Sequence, residues 1–322
     1  MRQKWALLTA LWRALPQGEN GYPDCHAMFL SGGPGWWRRG ITVSTASYQA
    51  VMSLPNRSTP AWPYPCWIAH RGAGKLAPEN TLAAFRMGAE HGFAMFECDV
   101  KLSADGEPFL LHDAELNRTT NGQGLAGALT WDALSRLDAG SWHGRMYAGE
   151  PLVRLEALSR WLQGLGLLVN LEIKPTPGDE QRTGRVVAEQ VARLWANAHV
   201  KPLLSSFSVE ALRAVQRTCP ELPRALLLER WAVDGVKLAL DLGCQAIVVH
   251  HPELDRERIR AAQAAGLKVL TYTVNEPAQA SALWLSGLDG LITDRVDTFE
   301  PQARLGANPA RLMMMAADAM AV

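Results

Sequence analysis

One apolar run of the chain, 95–100, carries two carboxylates, Glu97 and Asp99. Because successive side chains of a strand alternate between its faces, the two carboxylates project to the same side and Cys98 to the other. Two carboxylates among apolar neighbours repel each other and lose hydration, and a buried charge without a partner is costly. We therefore predict that a cation lies between them.

A second run, 167–174, ends in Glu172 and Lys174, which share a face by the same alternation. Its carboxylate joins the earlier two, and the set contains no thiolate. Oxygen ligands of this kind favour a hard divalent cation, Mg²⁺ or Ca²⁺, over Zn²⁺. The residues leave the choice between Mg²⁺ and Ca²⁺ open.

Three further polar residues follow short apolar runs: His70, Arg71 and His112. Strands that end in polar side chains deliver them into one pocket when the strands are parallel neighbours. A pocket that holds carboxylates, a cation, two imidazoles and a guanidinium can bind an anion and transfer protons around it.

Composition limits the classes of function. The chain has 322 residues, 48% hydrophobic and 20% charged, with a formal net charge of +0 and a pI of about 7.1. No broad basic surface for nucleic acid or membrane is predicted. The cysteines show neither a CxxC motif nor paired spacing, which favours a reduced, cytoplasmic setting. No apolar run is long enough for a transmembrane helix, so stable membrane insertion is not expected.

The elements that must position these residues alternate between strand-like and helical patterns, which indicates βα units and a parallel sheet. The predicted helices span 79–91, 180–196, 208–218, 236–242, 255–265 and 277–286. The predicted strands span 66–70, 94–100, 108–112, 167–174, 202–207, 224–229, 246–250, 268–274 and 290–293.

These strands are one more than a closed (β/α)8 TIM barrel needs. No helix fits between the second and third runs, and the Asp105-Gly106 pair is a tight-turn signal. We therefore predict a distorted (β/α)8 barrel in which these two runs form a hairpin. The stretch from about 114 to 151 fits no βα unit, and we predict that it is a small insertion over the barrel mouth.

The chain divides into three predicted regions. Residues 1–62 show no sustained periodicity and are predicted to be a disordered or non-native extension, 63–300 the barrel, and 301–322 a tail. A secretion signal is disfavoured because Arg13 interrupts the apolar stretch near the start. We expect a chain that starts at Met52 to retain the fold; the rival interpretation is a docked flap or membrane-surface anchor built on Trp36 and Trp37.

Several strings in this order resemble the glycerophosphodiester phosphodiesterase family: HRGAGKLAPENT, ECDV, LLHD, LDAGSW, LEIKPTPG, LLSSF, YTVNEP and ITD. The combination most resembles the cytosolic bacterial enzymes associated with glycerol-3-phosphate uptake, and it covers roughly 63–299. The resemblance implies a distorted (β/α)8 barrel that hydrolyses small-molecule glycerophosphodiesters to an alcohol and sn-glycerol-3-phosphate with one bound divalent cation. A homo-oligomer is left open.

When the motifs are matched position by position, the resemblance implies that Glu97, Asp99 and Glu172 are metal ligands. It makes His70 and His112 the catalytic pair, and it places Arg71 and Lys174 by the phosphate. The chain departs from the family pattern at His143, where an aromatic residue often stands, and at 151–153. Both departures lie in or beside the insertion, and they bear on the preferred leaving alcohol.

The chemistry agrees with this assignment. Hydrolysis of an anionic phosphodiester needs neutralised phosphate oxygens, a base for the attacking oxygen and an acid for the leaving one. A divalent cation with Arg71 and Lys174 can meet the first need, and His70 and His112 the other two. Direct attack by water and prior attack by the glycerol 2-hydroxyl, through a cyclic phosphate, are both open.

Other residues near the motifs have ordinary structural explanations. Asn80 is as well explained by a helix cap as by ligand contact; Phe207 and Tyr272 are expected in the pocket wall, and Asn275 and Asp294 in hydrogen bonds to loops. His250 and His251 are set aside because adjacent strand residues face opposite ways.

Competing functions come from two other classes. A lipase specific for phosphatidylinositol or sphingomyelin would need an exposed apolar rim or a secretion signal. A non-catalytic barrel would have lost a ligand or a histidine, whereas all five are in place.

Overall fold

A computed structural model of the chain describes residues 62–299 and Pro301. The predicted N-terminal extension, apart from Trp62, and the predicted tail, apart from Pro301, lie outside the described residues. The strands are β1 Trp67–Ala69, β2 Met95–Leu102, β3 Pro108–Leu110, β4 Leu168–Ile173, β5 Leu203–Ser206, β6 Arg224–Leu228, β7 Ala246–His250, β8 Lys268–Tyr272 and β9 Gly290–Thr293.

Eight of these strands form a closed parallel barrel in the order β1-β2-β4-β5-β6-β7-β8-β9. The barrel closes because β1 pairs with strands on both of its sides, with Ala69 opposite Phe96 of β2 and also opposite Thr293 of β9. The ninth strand, β3, pairs antiparallel with β2 through Val100 and Leu110. The predicted (β/α)8 barrel with a hairpin of the second and third runs is therefore confirmed.

The described residues contain eight α-helices, most of which follow a barrel strand. They are α1 Leu82–Glu90, α2 Trp131–Leu134, α3 Leu155–Gly164, α4 Glu180–Leu194, α5 Val209–Thr218, α6 Val233–Asp241, α7 Arg256–Ala264 and α8 Pro277–Leu285. None of them is long and apolar enough to cross a bilayer. The hydroxyl or carboxylate of Thr81, Ser208 and Asp255 caps the start of α1, α5 and α7, as their sequence positions indicate.

Helix α3 is not among the helices predicted from the sequence. It buries Leu155, Leu158 and Leu162 at helical spacing between the hairpin and β4. The residue before it, Arg154, provides no side-chain cap. Because this start signal is absent, only the spacing of its apolar residues indicates the helix in the sequence. The helix also directly follows an insertion that fits no regular pattern.

The barrel interior is apolar in its lower part. Inward side chains such as Ile68, Met95 and Leu227 form one buried cluster, while outward side chains such as Phe96 and Leu171 pack against the helices. Burial of this kind stabilises the fold by about 25 cal/mol per Å² of apolar surface. Polar groups are thereby left to the carboxyl ends of the strands, where parallel barrels place their active sites.

The insertion packs against β3 in a separate apolar cluster, which includes Phe109 of the strand and Leu116 and Leu134 of the insertion. It is tied to the loop between β1 and α1, where the hydroxyl of Tyr147 donates to the Leu76 carbonyl at 3.3 Å. It is also tied to the first turn of α1, where the backbone amide of Ala83 donates to Glu150 at 3.0 Å. The insertion therefore lies against the loop that follows the first barrel strand.

Helices α4 and α5 pack closely at Gly184, where an added methyl group would lie 2.3 Å from the carbonyl oxygen of Ala211. We predict that Gly184→Ala lowers the free energy of unfolding by about 1–3 kcal/mol, because the added carbon overpacks the contact between the helices. Urea unfolding measures the change.

The matched control is Gly164→Ala at the end of α3, where an added methyl group meets no atom within 4 Å. This variant should be neutral or more stable by up to about 1 kcal/mol, since alanine has the higher helix propensity. Equal effects of the two substitutions would contradict the close packing at Gly184.

Candidate active site

Three carboxylates meet inside the barrel at the carboxyl ends of β2 and β4. The strand register places Asp99 directly opposite Glu172, and Glu97 lies one step lower on the same face, opposite Asn170. Glu97, Asp99 and Glu172 are 3%, 1% and 9% exposed, and each offers an oxygen within 4.8 Å of the other two. In the described part of the chain, no other group of three or more possible ligands meets this criterion.

The three carboxylates could hold a metal ion. Oxygen Oε1 of Glu97 is buried and accepts no hydrogen bond, and Oε1 of Glu172 has Lys174 Nζ at 3.2 Å without a well-aligned bond. Burial, with the charge of Asp99, raises the pKa of Glu97 well above its usual range and that of Glu172 to about 7. A hard cation would satisfy both oxygens and favour the ionised carboxylates, so the donor set fits Mg²⁺ or Ca²⁺.

Asp99 differs from the two glutamates because cations and an amide surround it. Its Oδ2 accepts from Asn80 Nδ2 at 2.9 Å and lies 3.3 Å from Arg71 Nε, and Lys174 Nζ is 4.0 Å from its Oδ1. Burial opposes its ionisation, but the charges of Arg71 and Lys174 and the hydrogen bond from Asn80 outweigh burial and lower the pKa of Asp99. Asp99 is therefore ionised without an added cation.

The loop after β1 holds two residues in the left-handed backbone region, Arg71 at φ +50° and Asn80 at φ +60°. Such a conformation costs a non-glycine residue about 1–3 kcal/mol. This cost is offset by local hydrogen bonds of the backbone. The backbone amide of Asn80 donates to the Arg71 carbonyl at 3.0 Å, and the backbone amide of Arg71 donates to Oε2 of Glu97 at 3.2 Å. Thr81, not Asn80, caps the following helix, and Asn80 instead holds Asp99.

His70 lies between two carboxylates. Its Nδ1 is 2.6 Å from Oδ1 of Asp294, and its Nε2 is 3.7 Å from Oε2 of Glu97. Hydrogen bonds from His70 and from Asn275 Nδ2, which is 3.1 Å from Asp294, outweigh burial and lower the pKa of Asp294, so this carboxylate is ionised and accepts a hydrogen bond from Nδ1. Asp294 thus orients the ring and leaves Nε2 on the side of Glu97.

Asp294 was not recognised in sequence as a partner of a catalytic candidate. Its signal is the ITD string at the end of the last strand. The contact depends on closure of the barrel, which pairs Thr293 of β9 with Ala69 of β1 and so brings Asp294 beside His70.

His112 is oriented in the same way by Asp113. Its Nδ1 lies 2.7 Å from Oδ1 of Asp113, so Nδ1 donates and Nε2 keeps a lone pair that accepts from Lys174 Nζ at 3.0 Å. Burial lowers the pKa of His112, helped by the charge of Arg71. His112 is therefore a neutral imidazole at neutral pH.

Open space adjoins this cluster on two sides. A cavity of about 20 Å³ lies between His70, Glu97, Asn170 and Tyr272, and a cleft of about 400 Å³ opens beside Glu172, Lys174 and Phe207. The ring of Phe207 contacts that of Tyr272 edge-on at 5.9 Å. Both aromatic residues therefore lie at the boundary of the site, where the sequence predicts them. The cleft can admit a molecule larger than water to Lys174 and Glu172.

Two buried polar residues beside the carboxylates, Asn170 and Ser205, are not among the site residues predicted from the sequence. The side chains of Asn170 and Ser205 are 1% and 0% exposed, and neither forms a hydrogen bond. Asn170 lies opposite Glu97 and Ser205 opposite Glu172 in the strand register. The sequence signal is the alternation of β4, which puts Asn170 on the face of Glu172.

All seven predicted site residues occur in this one cluster. Arg71 and Lys174 contact Asp99, the three carboxylates meet, and each histidine is oriented by an acidic residue. The structure thus brings together three carboxylates that could hold a cation, a guanidinium, an ammonium group and two imidazoles. Such an arrangement can bind an anion and move protons beside it.

Comparison with known proteins supports this chemistry. Residues 70–298 match the glycerophosphoryl diester phosphodiesterase family. A glycerophosphodiester phosphodiesterase of Caldanaerobacter subterraneus is 32% identical over 243 residues, which cover 74% of this chain and 98% of the relative.

Solved structures agree. A phosphodiesterase of Oleispira antarctica in complex with the product sn-glycerol-3-phosphate has a TM-score of 0.68 and 31% identity, and the match covers 79% of this chain and 97% of that one. A glycerophosphodiester phosphodiesterase of Agrobacterium tumefaciens has a TM-score of 0.62 and 30% identity, over 73% of this chain and 98% of that one. Together with the barrel and its acidic cluster, these matches show that the chain belongs to the glycerophosphoryl diester phosphodiesterase family of phosphoric diester hydrolases.

Proposed function

We propose that this chain hydrolyses small glycerophosphodiesters to an alcohol and sn-glycerol-3-phosphate, with one divalent cation, Mg²⁺ or Ca²⁺, held by Glu97, Asp99 and Glu172. The observation that carries the proposal is the buried acidic cluster with two unsatisfied oxygens, beside two histidines that are each oriented by an aspartate. The product bound to the Oleispira antarctica relative supports the same substrate class.

The phosphate would bind between the cation and the basic side chains. When bound, the cation supplies positive charge that stabilises the non-bridging oxygens. Arg71 offers a planar guanidinium and Lys174 a point charge, and both already lie within 4.0 Å of Asp99. A phosphodiester anion would draw Lys174 away from Nε2 of His112, since the ammonium prefers the charged oxygen to the neutral imidazole.

We assign the base to His112 and the acid to His70. Burial lowers the pKa of His112, so its Nε2 has a free lone pair when Lys174 turns to the phosphate. This nitrogen can then accept the proton of the attacking oxygen, whether that oxygen belongs to water or to the glycerol 2-hydroxyl. Asp294 holds Nδ1 of His70 at 2.6 Å and leaves Nε2 facing the site, so this ring is placed to deliver a proton to the leaving oxygen.

We further propose that the catalytic unit lies within 63–300, since the named site residues run from His70 to Asp294. Cys98, Cys219 and Cys244 are buried free thiols in the described barrel, which supports the cytoplasmic setting predicted from the cysteine spacing.

Removal of divalent cations should abolish hydrolysis of glycerophosphocholine and glycerophosphoethanolamine, because the acidic cluster would lack its counterion. Glu172→Gln keeps the size of the side chain but removes a ligand charge, and it should lower turnover by about 10²-fold or more. Release of glycerol-3-phosphate, with and without chelator, measures both effects.

The control is Glu210→Gln, which changes an exposed glutamate at the edge of the same cleft. Its turnover should stay close to that of the unmodified enzyme. Full activity after dialysis against chelator would contradict the metal assignment.

Metal binding should depend on pH. With a pKa of about 7, Glu172 is largely protonated below that pH, and Glu97 has a raised pKa as well. A cation binds the ionised forms, so binding releases protons, and the apparent affinity should rise as pH increases from about 6 to about 8. Calorimetry in buffers of different ionisation enthalpy measures the protons released. Binding without proton release at pH 6 would show that these carboxylates are already ionised.

The two histidines should each be needed for turnover. We expect His70→Ala and His112→Ala to lower kcat by about 10²-fold or more, the usual contribution of a general acid or base. The double variant should lose much less than the product of the two losses, since the groups act as a unit. Steady-state kinetics test this, and normal kcat in either single variant would remove that residue from the mechanism.

A further inference from the structure

A guanidinium from the insertion joins two acidic residues that lie behind the proposed site. Arg118 donates from Nε and Nη2 to the two oxygens of Asp113, at 2.6 and 3.1 Å. It also donates from Nη1 and Nη2 to the two oxygens of Glu79, at 2.7 and 2.8 Å. Both contacts are bidentate, the geometry in which an arginine fixes a carboxylate most strongly.

Each of these carboxylates also holds a residue of the site. Oε1 of Glu79 accepts from Nη1 of Arg71 at 2.9 Å, and Oδ1 of Asp113 accepts from Nδ1 of His112 at 2.7 Å. Hydrogen bonds therefore run without a break from Arg71 through Glu79, Arg118 and Asp113 to His112. The two ends come from different loops, after β1 and after β3, and Arg118 is the residue that joins them.

We propose that Arg118 is a positioning residue that sets the orientation of Arg71 and His112 together. The inference rests on the roles proposed above for these two residues. Arg118 acts through its neighbours, and the insertion thereby takes part in the reaction without supplying a group to the substrate.

The charge balance of the network supports this role. Arg71 and Arg118 are matched by Glu79 and Asp113, so the four side chains carry no net charge. Loss of Arg118 would leave one extra negative charge behind Arg71, which would weaken its attraction for an anionic phosphate. It would also free Asp113, which the Arg118 bond holds ionised at a lowered pKa, to turn away from Nδ1 of His112.

A purely structural role predicts a different outcome. The Arg118 side chain is 44% exposed, and exposed ion pairs contribute little to stability. A positioning role therefore predicts a large loss of turnover with little change in the melting temperature, whereas a scaffold role predicts that both fall together.

The test compares Arg118→Met with Arg136→Met. Arg136 lies in the same insertion, is 74% exposed, and forms its ion pair with Asp132 within one helical turn. We expect Arg118→Met to lower kcat by about 10²-fold, the scale of a small misplacement of reacting groups, and to raise KM. The melting temperature should stay near that of Arg136→Met. Arg118→Lys, which keeps the charge but loses the fork, should recover only part of the activity.

A second comparison isolates the path to His112. Asp113→Asn should lower kcat on its own, and the double variant with Arg118→Met should lose much less than the product of the two single losses, because both substitutions release the same imidazole. Independent, multiplying losses would overturn the proposal.

Two results of the first comparison would also overturn the proposal. The first is that kcat and KM of Arg118→Met lie within about twofold of those of Arg136→Met, the scale of an exposed ion pair. The second is that the melting temperature of Arg118→Met falls by several degrees and that Arg118→Lys restores both the melting temperature and the activity. An error in the proposed function would give a different result. If the roles proposed for His112 and Glu172 are wrong, His112→Ala and Glu172→Gln remain active. If those two are inactive and Arg118→Met is normal, only the role of Arg118 is wrong.

Discussion

The repulsion among three carboxylates inside the barrel is the constraint on which the rest of the site depends. Glu97, Asp99 and Glu172 are almost completely buried, where water cannot screen their charges. Arg71 and Lys174 compensate Asp99, which stays ionised. The two glutamates keep raised pKa values, so the protein alone does not neutralise the cluster. A divalent cation would supply the missing positive charge, and together with Arg71 and Lys174 it could then contact the oxygens of a phosphodiester.

The two histidines are oriented in the same way, but their surroundings differ. An aspartate fixes Nδ1 of each ring and leaves Nε2 directed toward the site. Their surroundings differ, because His70 has a second carboxylate nearby and His112 has the ammonium of Lys174. This asymmetry is the reason why we propose the role of acid for one ring and that of base for the other, although the two side chains are chemically identical.

The hairpin and the insertion give this barrel an added layer of support. Strand β3 delivers His112 and Asp113, and the insertion that follows returns Arg118 to both Asp113 and Glu79. A site built only on strand ends would leave the loop after β1 free to move independently of the hairpin. The shared guanidinium couples the two, which is the kind of preorganisation that catalysis on a charged transition state requires.

The sequence by itself determined the barrel, the hairpin and the seven candidate side chains, because alternation within a strand and turn residues are local properties. It did not reveal helix α3, which lacks a side-chain cap. The partnership of His70 with Asp294 depends on closure between the first and last strands, 224 residues apart, and that of Glu79 with Arg118 on how the insertion folds back. Only the tertiary structure decided these contacts. The local sequence around each of these residues is equally compatible with a hydrogen bond to a loop and with exposure to solvent, and the choice depends on closure of the barrel.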